Sequence, residues 1–379
     1  MFLEKVQSSP TLEMVNTVLE KQARGEKVVS LAIGEPAFDT PTDIIEAAYK
    51  SMKKGDTHYV SSYGVPEVRK AIVSKVRRKN GIQAELANSI FITTKLSIFA
   101  ALLACAEPGF EALLPDPGYF YGEPVLLLGG KPVYYCHDTN FSIDLDDVKK
   151  KAGPKTKVVV LNTPSNPTGR VLDRSALKEL YDFCADRRIR IVSDEAYEDI
   201  VFGKKHMSVG SLEKKPDVVV SLFSLSKSYA MTGWRAGYAI ADEKVIFKMY
   251  KFIENTFSCF PPFIQAAAAH ALENGDQSIG RFATEYRERR KLLLDEMSRI
   301  DGLEPNEIEG TFYAFPKFSI KMPATTFAKT LLQEQNVAVL PGTSFGASGE
   351  GRVRISFSVS NDVVKEGMGR VRRFFEGRR

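Results

Sequence analysis

The chain has 379 residues, 44% of them hydrophobic and 26% charged, enough for two domains with sizeable cores. A formal net charge of +5, with acidic and basic residues interleaved, gives no basic block of the kind that nucleic acid demands. Its 4 cysteines and 4 histidines are scattered and form no CxxC, so the expectation is a cytoplasmic protein with reduced core thiols and no metal site.

The opening "MFLEKVQSSPTLEMVN" lacks the uninterrupted apolar run of a signal peptide. "KVVSLAIGEP" then reads as a strand and a turn entering a larger unit. The greasiest segment, Ser89 to Ala106, is broken by Lys95 and followed by Glu107-Pro108-Gly109. It predicts a strand and a buried helix, not a membrane span. "EALLPDPGY" (111–119) runs into a Pro-Gly turn, and "KVVVLNTPSNPTG" (157–169) is a strand leading to a turn-rich loop. A helix is expected over 175–187, with Leu177, Leu180, Tyr181 and Cys184 on one face. "IRIVSDEAY" (189–197) and "DVVVSLFSLSK" (217–227) are further buried strands. Beyond Gly275 the character changes: a charged amphipathic helix over 282–300 precedes "GTFYAFPKF", "TTFAKTLLQEQ", "VAVLPGTSFG" and "RVRISFSV".

Continuous Val/Ile/Leu runs alternating with helices predict an α/β fold whose mainly parallel sheet is sandwiched by helices. The expected division is a large domain over 40–281 and a smaller α+β domain built from 1–39 and 282–379. Polar residues gather where three strands end, at Asn162–Gly169, Asp194–Tyr197 and Ser224–Lys227. Open α/β sheets bind ligands outside the carboxyl ends of their strands, so these groups should meet in one crevice. The residues alone do not choose between Asp194 and Glu195, nor between Arg352 and Arg354.

In order along the chain stand Gly34-Glu35-Pro36, Tyr59 followed by "YGVPEVR", Tyr119 after "DPG", "NTPSNPTG", "SDEAY", "SLSKSYAMTGWRAGY" and "VRISF". Together they resemble the class I/II aminotransferases, pyridoxal-phosphate enzymes of the aspartate aminotransferase-like fold type I. The resemblance implies that Lys227 is the Schiff-base lysine, an amine useful only when part of it is neutral. It implies Asp194 as partner of the cofactor's ring nitrogen, with Asn166 and Tyr197 on its phenolic oxygen. Tyr119 would stack on the ring, and Ser224 and Arg235 would hold the phosphate, a guanidinium suiting phosphate by its planar fork. Gly233 and Gly237 would let the chain bend around that site. Arg354 would clamp the substrate α-carboxylate opposite Gly34. Tyr59 would reach the phosphate of a neighbouring subunit, making a homodimer with shared active sites.

The match departs at "ITTKLSIF", where threonines stand in place of glycines and the turn is one residue short. Backbone amides of Thr94 and Lys95 remain available to the phosphate. Lys95 also matches a lysine that, in one bacterial and archaeal subgroup, recognises the distal carboxylate of dicarboxylic substrates. The expected activity is therefore transfer of an amino group between an aspartate- or glutamate-type L-amino acid and a 2-oxo acid such as 2-oxoglutarate. Transamination of aromatic or neutral amino acids, and a pyridoxal-phosphate lyase of the same fold, are the alternatives.

Overall fold

Seven strands lie side by side in the order Ser89–Phe91, Gly237–Ile240, Val219–Ser224, Arg190–Asp194, Thr156–Asn162, Glu111–Asp116, Lys131–Cys136. This computed structural model describes residues 4, 6, 10–214 and 216–378. Gly237–Ile240 is antiparallel to both its neighbours, and the five strands from Val219–Ser224 to Lys131–Cys136 pair in parallel. Alternation within one strand shows why its sequence is continuously apolar. Val158 and Val160 enter one core with Ile72, Leu102 and Met249, while Val159 and Leu161 enter another with Leu177, Leu180 and Cys184. Both faces of the sheet are therefore covered by helices, which leaves no polar side to the strand pattern.

The apolar segment near residue 90 folds as expected, into strand Ser89–Phe91 and helix Thr94–Cys105. No helix of the described residues is long and apolar enough to cross a membrane. The helix after the first long loop spans Arg174–Arg187, one residue longer than its periodicity predicts.

A further apolar core gathers Phe282, Tyr286, Leu293, Phe327, Val353, Val371 and Phe374 around short strands near the C-terminus. Tyr313–Ala314, Val353–Ser356 and Leu340–Pro341 make an antiparallel trio. Val29–Ser30 pairs in parallel with Val337–Ala338, so the segment before Gly34 joins the C-terminal part through a two-residue ladder. The charged helix runs Asp276–Ser298, starting six residues before the predicted Phe282 and continuing unbroken through 281–282. Its opening turn is polar and carries Asp276, which suits a helix N-terminus but leaves no apolar period to read.

One buried cation ties these layers to the strand ends. Lys75 is 1% exposed; its ammonium bonds the Glu198 carboxylate and Asn80 Oδ1 (2.9 Å) and lies 4.8 Å over the Phe223 ring. Glu198 thereby anchors the turn that follows Asp194 and Tyr197 to helix Pro66–Lys75. Removing one partner of such a pair strands a charge in a low-dielectric site. Glu198→Ala should cost about 3–5 kcal/mol of stability in chemical denaturation. A loss within measurement error would contradict this anchoring role.

Candidate active site

Sheet register brings the polar strand ends together. Asn162 sits opposite Asp194, and Asp194 opposite Leu222, two residues short of Ser224. From these ends Asn162, Asn166, Asp194, Tyr197, Ser224 and Lys227 converge on a cavity of about 310 Å³. Gly34, Lys95, Tyr119, Arg235, Tyr313 and Arg354 complete its polar and aromatic walls, and Leu12, Ile98 and Phe120 add apolar ones.

Lys227 lies in the short helix Leu225–Ser228, capped by Ser224, whose Oγ accepts from the Ser226 N–H at 3.2 Å. Its Nζ donates to the Gly34 carbonyl at 2.8 Å. Burial lowers the amine's pKa to about 8; Glu35 opposes the shift, and Arg354 and Arg235 reinforce it. Gly34 is fixed by sterics, since a Cβ there would lie 1.8 Å from the Tyr313 hydroxyl.

Asp194 is buried with its carboxylate oxygens bonded to the Tyr121 hydroxyl (2.8 Å) and the Ala196 N–H (3.2 Å). Burial raises its pKa to about 6, partly offset by those hydrogen bonds. Glu195 takes a different course: its carboxylate bonds Ser193 (3.0 Å) and His206 (2.9 Å), outside the cavity. The choice left open between the two acids is thus settled as to which one faces the crevice.

Arg354 is 2% exposed, with its guanidinium donating to Asn166 Oδ1 at 3.1 Å and to the Ala32 carbonyl. The same group lies 4.2 Å over the Tyr313 ring, and its buried Nε has no hydrogen-bond partner. Arg352 precedes the strand Val353–Ser356, bonds the Phe315 carbonyl and stacks 4.9 Å over Phe141, away from the cavity. Tyr197 shares a hydrogen bond with Tyr313, hydroxyl to hydroxyl, at 2.9 Å.

Other expected residues stand nearer the rim. Lys95 is exposed in the first turn of helix Thr94–Cys105; Thr94 opens that helix, and its side chain lies outside the described residues. Arg235 is exposed at the cavity wall and bonds the Thr232 carbonyl at 2.6 Å. The tight bends beside it fall on Ala230 (φ 52°) and Arg235 itself (φ 55°), not on Gly233 or on Gly237, which lies within a strand. Tyr59 is 91% exposed and does not line this cavity. Tyr121 and Tyr313 are not among the residues that the sequence singles out, and Asn162 enters only as the start of the polar strand end Asn162–Gly169. Asn162 opens the "NTPSNPTG" loop and carried a signal, whereas two tyrosines in aromatic-rich turns look like core.

Half-neutralisation near pH 8 is a measurable property of the cofactor-free protein. Acetic anhydride labelling of Lys227, followed by mass spectrometry, should rise with a midpoint near about pH 8. An ordinary midpoint of about 10.4 would contradict the burial argument.

Residues 26–371 match the family model described as "Aminotransferase class I and II". The chain is similar to "Aromatic-amino-acid aminotransferase 2" of Thermococcus litoralis, at 38% identity over 96% of this chain and 97% of that protein. It is 36% identical to the aspartate aminotransferase of Pyrococcus abyssi, over 96% of this chain and 97% of that one. The solved Thermus thermophilus aspartate aminotransferase with maleate superposes with a TM-score of 0.94, at 31% identity and covering 98% of both chains. With the parallel sheet, the convergent strand ends and the buried amine, these likenesses show that the chain belongs to the class I and II aminotransferases, pyridoxal-phosphate-dependent enzymes of fold type I.

Proposed function

We propose that this enzyme moves the amino group of an aspartate- or glutamate-type L-amino acid to a 2-oxo acid such as 2-oxoglutarate, with Lys227 as its working amine. The observation that carries the reading is Lys227, whose Nζ donates to the Gly34 carbonyl at 2.8 Å in a cavity shared with buried Asp194 and Arg354. The donor set fits pyridoxal phosphate. Lys227 suits its aldehyde, Asp194 its ring nitrogen, and Asn166 and Tyr197 its phenolic oxygen; Tyr119 offers a ring face. Ser224, Arg235 and the amides opening helix Thr94–Cys105 suit its phosphate, because the first amides of a helix lack partners within it. When bound, the cofactor supplies the electron sink that a carbanion at the substrate Cα requires.

The residues do the rest. Arg354 holds its fork against two neutral oxygens, those of Asn166 and Ala32, and exchanges them for the α-carboxylate, a stronger charge-assisted partner. That exchange fixes the substrate Cα beside Lys227, which removes the Cα proton as a neutral amine. Proton transfer by such a positioned group contributes roughly two to four powers of ten. Asp194 stays ionised above its raised pKa and would offer that negative charge to the cofactor's ring nitrogen.

Lys95 at the cavity rim is the cation for a distal carboxylate. A second reading is favoured by the apolar part of the lining: Leu12, Ile98 and Phe120 suit aromatic or neutral side chains, and one relative is named an aromatic aminotransferase. Tyr59, exposed and outside its own cavity, serves the phosphate site of a second copy, so the working form is a homodimer with shared sites. Exposed Ile45, Tyr49 and Met52 on helix Thr42–Lys53 support a covered face near it. Residues 40–281 form the cofactor-holding domain and 1–39 with 282–379 the smaller one, in a cytoplasmic enzyme that binds neither membrane nor nucleic acid.

With L-aspartate and 2-oxoglutarate the enzyme should form glutamate; ammonia or pyruvate without glutamate would contradict transfer. Lys95→Ala should lower kcat/KM for aspartate roughly 10- to 100-fold, the worth of one hydrogen bond to a charged group, while alanine turnover stays nearly unchanged. Equal losses for the two donors would contradict the role given to Lys95.

A further inference from the structure

Asp194 is reached from outside the cavity by a residue that does not line it. Tyr121 is 1% exposed and donates from its hydroxyl to Asp194 Oδ2 at 2.8 Å, while Oδ1 accepts from the Ala196 N–H. Burial, and then the Asp194 charge, hold the phenol well above its ordinary pKa, so it remains a donor across the working range. Of the charged groups facing Asp194, Glu195 raises its pKa and Lys227 lowers it. The Glu195 carboxylate is directed towards Ser193 and His206.

The segment that carries Tyr121 is pinned on several sides. It follows strand Glu111–Asp116, and its neighbour Gly122 packs closely under the Tyr134 hydroxyl, which a Cβ there would meet at 2.5 Å. The Tyr121 ring meets the Tyr119 ring edge-on, with centroids 5.5 Å apart and planes at 69°. One short stretch thus sets both the aromatic wall and the carboxylate's outer hydrogen bond. A hydrogen bond to the ionised form favours ionisation, and burial opposes it. Without the Tyr121 hydroxyl, burial would act on Asp194 with less opposition.

We propose that Tyr121 is a positioning residue for transamination: its hydroxyl holds Asp194 as an anion directed into the cavity and so sets the acid limit of the enzyme. The proposal rests on the reading of Asp194 as partner of the cofactor's ring nitrogen. Tyr121→Phe keeps the ring and removes the donor. In cofactor-free protein carrying ¹³C-carboxyl aspartate, the Asp194 resonance, assigned by its loss in Asp194→Asn, should titrate about one to two pH units higher in Tyr121→Phe. In the loaded enzyme the acid limb of kcat/KM should move in the same direction, with activity recovered at higher pH. An unmoved Asp194 midpoint overturns the proposal. A moved midpoint with an unmoved acid limb overturns it as well, and Asp194→Asn then separates the causes. If Asp194→Asn turns over like the parent, the assignment of Asp194 has failed; if it is inactive, Tyr121 alone has been misread.

Discussion

The rest of the site depends on keeping one amine out of water. A lysine in bulk solvent is almost wholly protonated at neutral pH and is neither nucleophile nor base. Lys227 escapes that state because its chain emerges from a buried strand into a single helical turn, placing Nζ under the Gly34 carbonyl and near two guanidinium groups. A carbonyl oxygen satisfies the amine's hydrogen bond without the full charge that would lock it as an ammonium. Gly34 in turn can approach only because it lacks a side chain, with Tyr313 filling the space beyond.

Much of this arrangement is made across the two halves of the chain. Tyr313 and Arg354 come from short strands near the C-terminus, while Tyr197 and Asn166 follow strands of the large sheet. The Tyr197–Tyr313 and Asn166–Arg354 hydrogen bonds cross between them, and the Arg354 guanidinium rests on Tyr313. Asp116 adds another link: it ends the strand before Tyr119 and accepts from the Ser348 N–H at 3.1 Å. Arg354 thus sits at a junction between the two cores, where its partners are the neutral oxygens of Asn166 and Ala32.

Much of the fold was legible because the sheet is buried on both faces. A strand with no polar side, such as Thr156–Asn162, reads as a continuous apolar run, and polar residues then stand out at its end. Lys227 stands out for that reason, as does the pair Asp194 and Glu195, between which the residues alone do not choose. Arg354 was not separable from Arg352 by period, because Arg352 precedes the strand and turns onto Phe141 and Phe315. Left-handed backbone at Ala230 and Arg235 defied the rule that looks for glycine in tight bends. Tyr121 and Tyr313 act through hydroxyls in loops, where neither spacing nor burial pattern distinguishes a polar role from packing.

The central claim is that the chemistry runs through Lys227, and the bond it forms with the cofactor can be fixed chemically. Borohydride reduction of the loaded enzyme, followed by peptide mapping, is the most direct measurement. The account predicts one cofactor per chain on the peptide containing Lys227, with no label there in Lys227→Ala. Attachment to another lysine, or cofactor that dissociates intact after reduction, would contradict it.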